Sequence, residues 1–98
     1  MIRVVYEWKV EPDNIQAFQK VWRETTSRIH DAVKGARGSF MIQEAGSPGH
    51  ILTIARWDCV EDWKAFWKED NPAEMQGMRN LGERISVTVY DEVGDYTV

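Results

Sequence analysis

Tryptophan is the residue type in this 98-residue sequence whose number and spacing suggest chemistry. The chain has five tryptophans, and three of them lie within the eleven positions from Trp57 to Trp67. Large rings fill the cores of small domains, and they also line clefts that bind flat apolar molecules. A buried indole N–H also needs a hydrogen-bond acceptor. We therefore interpret some of these rings as core and others as the walls of a pocket for a flat apolar ligand.

The other chemistry-bearing residue types lack the spacing of known catalytic or metal sites. His30 and His50 have no second ligand at helical spacing, so we predict no metal site and interpret both as polar surface residues. Cys59 begins a predicted helix, where a thiolate is favoured, but no histidine accompanies it, and we interpret it as half-buried and inert. The acidic residues of the same helix are interpreted as a solvated surface: Glu61, Asp62, Glu69 and Asp70. No catalytic residue is assigned.

Composition and charge narrow the class of protein. The net charge is −4 and no basic cluster is present, which argues against a nucleic-acid partner. No apolar run approaches the ~20 residues of a membrane span, and the strand-like start leaves no room for a signal peptide. A single cysteine excludes an internal disulfide and suits a reducing compartment. We expect one domain over residues 1–98, located in the cytoplasm.

The first half of the sequence predicts a strand, a helix and a second strand. Residues 2–10 alternate between apolar and mixed positions, with period two. Pro12 ends this strand, and Asp13 with Gln16 resembles a capping box. A helix is predicted from about residue 14 to residue 34, ending at Gly35. Its apolar face has helical spacing: Ile15, Phe18, Trp22, Ile29 and Val33.

The second half predicts a hairpin, an interrupted helix and a last strand. Strands are predicted over residues 38–45 and 50–57, joined by a turn at 46–49. Asp58 is predicted to cap the next helix with Glu61 as its partner, and the helix is predicted to break near Asp70. Asn71 and Pro72 are predicted to restart it, with Asn71 as the cap. A final strand is predicted over residues 84–93, with alternation of Ile85, Val87 and Val89.

The order β-α-β-β-α-β predicts a ferredoxin-like α+β fold with a four-stranded antiparallel sheet and the helices on one face. Tyr6 and Trp8 belong to the strand face that should look toward the helices. The opposite face should carry Arg3, Val5, Glu7 and Lys9. Because the helices leave that face uncovered, we predict a homodimer in which two sheets face each other.

Three segments resemble the antibiotic biosynthesis monooxygenase (ABM) family: "VVYEWKVEPDNIQAFQKVW", "ARGSFMIQEA" and "IARWDCVEDWKAFW". The most distinctive is "WDCVEDW", which matches the family pattern W-D/E-S-x-E-x-W/Y with Cys59 in place of the small hydroxyl residue. The resemblance covers nearly the whole chain and implies a dimeric α+β barrel. It also implies cofactor-free chemistry, in which O₂ reacts directly with an electron-rich substrate in a hydrophobic pocket while protein groups position it and stabilise its anion.

The resemblance is uneven at individual positions. Quinone-forming members have an asparagine four positions before the strand-end tryptophan, where this chain has Thr53. The tryptophan is present as Trp57, and the aromatic residue six positions later is Trp63. Haem-degrading members need an asparagine on the first strand and a histidine on the second helical segment. This sequence has neither, so haem degradation is not expected.

Two functions from different classes remain open. One is a cofactor-independent monooxygenase acting on a small aromatic or polyketide-like compound, and the other is a non-catalytic dimer that binds a small ligand. The polar group at Thr53, and the presence of a base facing the pocket, would distinguish them. Trp67 is expected to line the pocket because it lies beside the helix break. The candidate ligand-binding residues, with no metal and no cofactor, are Tyr6, Trp8, Trp22, Thr53, Arg56, Trp57, Trp63 and Trp67.

Overall fold

The alternating apolar residues of the first strand form the centre of the sheet. In the computed structural model, which describes residues 1–68 and 72–97, every second residue from Ile2 to Trp8 is buried. The elements follow in the order β1 (Ile2–Lys9), a 3₁₀ turn (Pro12–Asn14), α1 (Ile15–Ala32), β2 (Ala36–Glu44), β3 (Ser47–Trp57), α2 (Val60–Trp67), a second 3₁₀ turn (Ala73–Met75), α3 (Gln76–Leu81) and β4 (Glu83–Asp91).

The four strands form one antiparallel sheet in the order β2-β3-β1-β4. In the register across the sheet, Tyr6 lies opposite Thr53 on one side and Val87 on the other. The helices pack on the face that carries Tyr6, because the buried rings and methionines of the helical segments join one cluster with the buried residues of β1. This arrangement confirms the predicted α+β ferredoxin-like fold.

Aromatic contacts dominate the layer between the helices and the sheet. Trp8 meets Phe18 of α1 edge-on at 5.1 Å, and Trp57 packs on Phe66 of α2 at 5.4 Å between ring centroids. Trp63 and Trp67, one turn apart on α2, stack at 5.3 Å. Rings at these distances are stabilised beyond their area of burial. The crowding of tryptophans in the sequence therefore has a packing role first.

Two of the three predicted helix caps, at Asp13 and Asp58, are wrong. Asp13 lies inside the first 3₁₀ turn, and α1 begins after Asn14, whose side chain makes no capping hydrogen bond among the described residues. Helix α2 begins after Cys59 rather than after Asp58. The Asp58 carboxylate instead accepts two hydrogen bonds from the Arg37 guanidinium, at 2.7 and 3.1 Å. The carboxylate is engaged by a charged partner from β2 that sequence periodicity could not reveal.

The connections between elements also differ from their prediction. Helix α1 ends at Ala32, earlier than predicted, and Val33 is already extended. Gly35 has a φ of +84°, and a Cβ there would overlap the side chain of Asp62. Glycine is therefore required at this position for both backbone conformation and space. The hairpin turn is tighter than the predicted one, since Glu44 pairs directly with Ser47 and β3 starts there.

The helix interruption begins sooner than predicted. Helix α2 ends at Trp67, and Lys68 adopts a positive φ of 47°. The predicted break at Asp70 and the predicted cap at Asn71 lie outside the described residues. Pro72 precedes the second 3₁₀ turn instead of starting an α-helix.

Strand β4 contains a bulge, which changes which of its side chains point toward the helices. The pairing of β1 with β4 shifts between Glu7 and Trp8, so that Trp8 lies opposite Arg84 while Ile85 is 51% exposed. The predicted alternation of Ile85 with Val87 therefore breaks at this bulge. The guanidinium of Arg84 lies 4.9 Å from the centre of the Trp67 ring, within the range of a cation–π interaction.

The described residues include neither a membrane-spanning helix nor a cluster of metal-ligating side chains. None of the described helices has the length and apolar character needed to cross a membrane. In the same part of the chain, no group of three or more His, Cys, Asp or Glu side chains is arranged to hold a metal ion.

Candidate functional site

A cavity lies between α1 and the sheet, over strands β2 and β3. Helix α1 contributes side chains from one face, at positions 22, 25, 26, 29 and 30, and the floor includes Thr53, Ala55 and Trp57 of β3. Phe66 and Met78 also line the cavity. The apolar face of α1 is turned to the sheet, so its helical spacing brings an indole, two hydroxyls and an imidazole to one wall.

The cavity has a volume of about 40 Å³. That exceeds the roughly 10–15 Å³ that one water molecule needs, and it is well below the roughly 150 Å³ of a cavity that takes up benzene. A polar edge of a ligand fits in this volume, whereas a whole aromatic ring needs the walls to move apart. The exposed residue His30 marks the side of the cavity nearest solvent.

Hydroxyl groups on the cavity wall are held by indole N–H groups. Trp22 donates from Nε1 to Ser39 Oγ at 2.9 Å, and Ser39 Oγ lies 3.1 Å from Thr26 Oγ1. On the floor, Trp8 donates from Nε1 to Thr53 Oγ1 at 3.1 Å. An indole can only donate, so each of these hydroxyl oxygens acts as an acceptor toward its tryptophan.

Tyr6 has a similar partner deeper in the layer. Its hydroxyl accepts a hydrogen bond from Trp63 Nε1 at 3.1 Å, and its ring packs on Trp67 at 5.5 Å. Burial raises the pKa of Tyr6 to about 12, against the opposing effects of the Trp63 hydrogen bond and the charge of Arg84. The phenol is therefore protonated at physiological pH and can act only as a neutral group.

Thr25 is the exception among the hydroxyls of the wall. It is 2% exposed, and its Oγ1 has no hydrogen-bond partner among the described residues. Buried polar atoms in folded proteins are nearly always paired, so an unpaired hydroxyl beside a cavity requires an explanation.

Charged groups are scarce around the cavity. Among the described residues that line it, none is Asp, Glu, Lys or Cys. Arg56 contributes to the wall, but its Nη2 donates to Glu92 Oε1 at 3.1 Å. His30 is the one lining side chain in this described set of a type that serves as a general base at neutral pH. Its Nδ1 lies 3.4 Å from Asp31 Oδ1.

The structure brings together five of the eight residues predicted from the sequence. Those that line the cavity are Tyr6, Trp22, Thr53, Arg56 and Trp57. Three others lie outside its lining: Trp8, Trp63 and Trp67. Trp8 is fully buried beneath Thr53, and Trp63 is 8% exposed.

Trp67 lies at the edge of a second cleft, between the end of α1, α2 and the second 3₁₀ turn. This cleft is wider, at about 650 Å³, and Lys34, Asp62 and Glu74 give it a charged rim. Trp67 itself is only 6% exposed, so little of its ring reaches the cleft. Lys68 and Pro72, which flank the undescribed segment, belong to the same wall.

The hydroxyl groups that line the cavity, those of Thr25, Thr26 and Ser39, were not identified from the sequence. Thr25, Thr26 and His30 follow Trp22 at positions three, four and eight, which is the spacing of one helical face. Ser39 lies opposite Ala55 in the register of β2 and β3. The helical spacing was available from the sequence, but polar residues on an apolar face are usually interpreted as its boundary.

Cys59 lies away from this cavity. The backbone N–H of Asp62 favours its thiolate, but desolvation and the nearby carboxylates of Asp62 and Glu61 outweigh that effect and raise the pKa of the thiol. The shift is opposite to that of a reactive cysteine.

A charged cluster lies on the other face of the sheet. His50 Nε2 is 2.7 Å from Glu7 Oε2, and His50 Nδ1 is 3.0 Å from Glu44 Oε1. Ser86 donates a further hydrogen bond to Glu7 at 3.0 Å. Hydrogen bonds to Glu44 and Glu7 raise the pKa of His50, and the hydrogen bond from His50 lowers the pKa of Glu7.

Comparisons with known proteins identify the family and support the fold. The sequence profile of the family described as antibiotic biosynthesis monooxygenase matches residues 1–77. A variant of SnoaB, a cofactor-independent oxygenase from Streptomyces nogalater, is similar in structure with a TM-score of 0.77 at 14% identity, covering 97% of this chain and 95% of that chain.

Two further solved structures are similar over comparable lengths. A candidate antibiotic biosynthesis monooxygenase from Deinococcus radiodurans gives a TM-score of 0.76 at 13% identity and covers 100% of this chain and 98% of that chain. A conserved protein from Methanosarcina mazei Go1 gives 0.73 at 18% identity, covering 91% and 89%. At such identities the structural likeness shows the fold alone. No curated protein matches the chain by sequence.

Proposed function

Because this chain belongs to the antibiotic biosynthesis monooxygenase family, we propose that it is a cofactor-independent monooxygenase. The substrate is a small aromatic or polyketide-like compound, bound at the cavity between α1 and the sheet. The observation that carries this proposal is the cavity wall itself, in which rings and neutral hydroxyls surround a space with almost no fixed charge. Such a site suits a flat, electron-rich organic molecule with a polar edge.

The reaction needs no external reductant. When O₂ converts an activated CH₂ group to a carbonyl, one oxygen atom enters the product, the other leaves as water, and the substrate supplies all four electrons. The protein must then position the substrate, accept a proton and stabilise the anion that reacts with O₂. We assign the positioning to Trp22 and Trp57, the stabilisation to Thr53, and the proton acceptance to His30.

Oxygen consumption tests this proposal directly. Purified protein is supplied with a panel of hydroxylated anthrones and flavonoid-like phenols, and O₂ uptake is compared with the rate in buffer alone. We expect at least one compound to be oxidised, and His30→Gln to lower kcat by roughly 10²-fold or more, as expected for loss of a general base.

The second histidine supplies a matched control. His50 lies on the opposite face of the sheet, so His50→Gln should leave kcat unchanged. Equal loss of activity in both variants, or full activity in His30→Gln, would remove His30 from the mechanism.

The second candidate function is a non-catalytic protein that binds a small ligand in the same cavity. The exposure of His30 favours it, because 54% of that side chain is exposed and a base in contact with water is poorly placed to act on a buried substrate. Binding of the panel compounds without O₂ uptake above the buffer rate would support this alternative and contradict the monooxygenase.

We also propose that the chain acts as a homodimer in which two sheets face each other. On the face opposite the helices, Phe40, Ile54 and Val5 lie side by side in the register, and Ile42 and Leu52 form the next row. Phe40 is 45% exposed and Ile42 is 47% exposed. A row of apolar residues open to water is typical of a surface that a partner covers. A second copy would bury it by the symmetry of a two-fold interface.

Light scattering with size-exclusion chromatography at micromolar concentration tests the dimer. We expect a dimer for the natural chain and a shift to monomer for Val5→Asp or Ile42→Asp, because a buried unpaired charge is costly. Ala17→Asp, an equivalent change on the exposed face of α1, is the control. A monomer in the natural chain would refute the proposal.

A further inference from the structure

The unpaired hydroxyl of Thr25 is best explained by what enters the cavity. A buried threonine in a helix usually donates a hydrogen bond from its hydroxyl to a backbone carbonyl of the preceding turn. Here Oγ1 makes no such bond within the described part of the chain, although the residue is 2% exposed. The side chain lines the cavity. Oγ1 itself has almost no accessible surface, so the folded protein retains an unsatisfied hydrogen-bonding group that a ligand in the cavity reaches when the wall shifts slightly.

The neighbouring hydroxyls indicate which hydrogen-bonding role is free. Thr53 accepts from the indole of Trp8, and Ser39 accepts from the indole of Trp22. The proton of Thr53 has no acceptor among the described residues. The Ser39–Thr26 pair shares one hydrogen bond between two hydroxyl protons, so one proton remains. Each tryptophan thus occupies one of the two acceptor sites of its hydroxyl, and the hydroxyl protons remain available as donors.

The absence of carboxylates among the described residues that line the cavity also favours a ligand atom that accepts hydrogen bonds. No carboxylate belongs to its lining in the described residues, so no fixed anion competes for these protons. The phenol of Tyr6, with a pKa of about 12, also stays protonated. A wall that offers several O–H donors and no fixed anionic acceptor is complementary to an oxygen that can only accept.

We infer that Thr25 determines ligand specificity by donating a hydrogen bond to an acceptor oxygen, a ring carbonyl or phenolate, at the edge of a flat ligand. The volume of about 40 Å³ admits that edge once the wall gives access to Oγ1, while the ring packs against Trp22. Ser39 and Thr53 supply further donors, and Trp8 acts as a positioning residue for Thr53. This inference rests on the proposed binding site but does not require any reaction with O₂.

A matched pair of probes tests the inference. 1-Indanone and indane have the same ring skeleton, and only the first has a carbonyl oxygen. Binding is followed by titration of the indole N–H signals in ¹⁵N–¹H correlation spectra, where Trp8 and Trp22 report on the two sides of the cavity. We expect 1-indanone to bind at least tenfold more tightly than indane.

Substitutions at Thr25 separate the effect of its hydroxyl group from the effect of its side-chain volume. Thr25→Val should lower the affinity for 1-indanone about tenfold, the effect of one ordinary hydrogen bond, and leave indane binding unchanged. Thr25→Ser should restore the preference. Thr25→Val should also melt at the same temperature as the natural protein or above it, because the lost hydroxyl had no partner. Thr88→Val, an equivalent change at an exposed position, should alter neither probe.

Several results would overturn the inference. These are equal binding of the two probes, equal loss of both probes in Thr25→Val, or no binding of either by the natural protein. Oxygen uptake with no preference for 1-indanone would leave the proposed function standing and remove the role of Thr25. Preferential binding through Thr25 without O₂ uptake from any substrate would support the inference and contradict the monooxygenase.

Discussion

The two faces of the sheet carry opposite kinds of interaction, although they are built from alternate residues of the same strands. Trp8 on the inner face is fully buried and donates to a neutral hydroxyl. Glu7, its neighbour in sequence, lies on the outer face and pairs with His50. The inner face is thus held by rings and neutral hydrogen bonds, and the outer face by exposed charges beside exposed apolar side chains.

This difference has consequences for stability. Burial of aromatic rings contributes several kcal/mol per residue, whereas an ion pair at the surface contributes about 0–1 kcal/mol. We therefore expect substitutions on the inner face to change the free energy of unfolding much more than substitutions on the outer face. Within the inner face, residues of the closed core should matter more than those beside the cavity.

The largest effect is expected for Trp8→Ala. The ring is fully buried against Phe18, and its loss also leaves Thr53 without a hydrogen-bond donor. The cost should be about 3–5 kcal/mol, a large part of the stability of a domain this small. Chemical denaturation measures it. Lys9→Ala, an exposed change in the next position, should cost less than about 0.5 kcal/mol, and similar costs for both would contradict the comparison.

A smaller loss is expected for Trp67→Ala, about 3 kcal/mol. The ring stacks on Trp63 and contacts Tyr6 and the Arg84 guanidinium, but an edge of it borders the second cleft. The same denaturation measurement gives the cost. A value under about 1 kcal/mol, together with loss of ligand binding, would instead show that Trp67 lines a binding pocket as the sequence suggested.

Trp22→Ala should cost still less, about 1–2 kcal/mol, because this ring is only half-buried on the cavity wall. Its effect should fall mainly on binding, since it lines the cavity and holds Ser39 through its indole N–H. Isothermal titration with 1-indanone measures the loss of affinity. A stability cost as large as that of Trp8→Ala, with affinity unchanged, would place Trp22 in the core.

The smallest effect is expected for His50→Gln and depends on pH. The pKa of His50 is raised by Glu44 and Glu7, so its contribution to stability is fully present below the unfolded value of about 6.5 and is lost as pH rises through the folded pKa. The pKa of Glu7 is lowered, so its contribution is present above about 4.3 and is lost as pH falls through the folded pKa.

The effect of the substitution should therefore be larger at pH 5.5 than at pH 8.5. Melting temperatures of the natural protein and of His50→Gln at both values measure it. A difference between the two proteins that stays constant with pH, or grows toward alkaline pH, would show that the cluster does not stabilise the fold through protonated His50.

Periodicity in the sequence was sufficient for the architecture. Alternation along β1, the helical stripe of α1 and the spacing of Trp63, Phe66 and Trp67 predicted the element order, the ferredoxin-like fold and the buried faces. These patterns are local consequences of side-chain direction in strands and helices. Local patterns failed at the helix caps, because Asp58 is engaged by Arg37 from another strand. They failed also at Ile85, where a bulge interrupts the alternation of side chains along β4.

The sequence by itself therefore determined, outside the bulge at Ile85, which strand side chains face the helices and which face away. Only the tertiary structure decided which of the inward tryptophans border a cavity and which are sealed in the core. That division depends on how α1 is seated over β2 and β3, which places Trp22, Thr25 and Thr53 around one space while Trp8 closes beneath it. The seating is set by packing between residues far apart in the chain, and periodicity along a single element carries no information about such contacts.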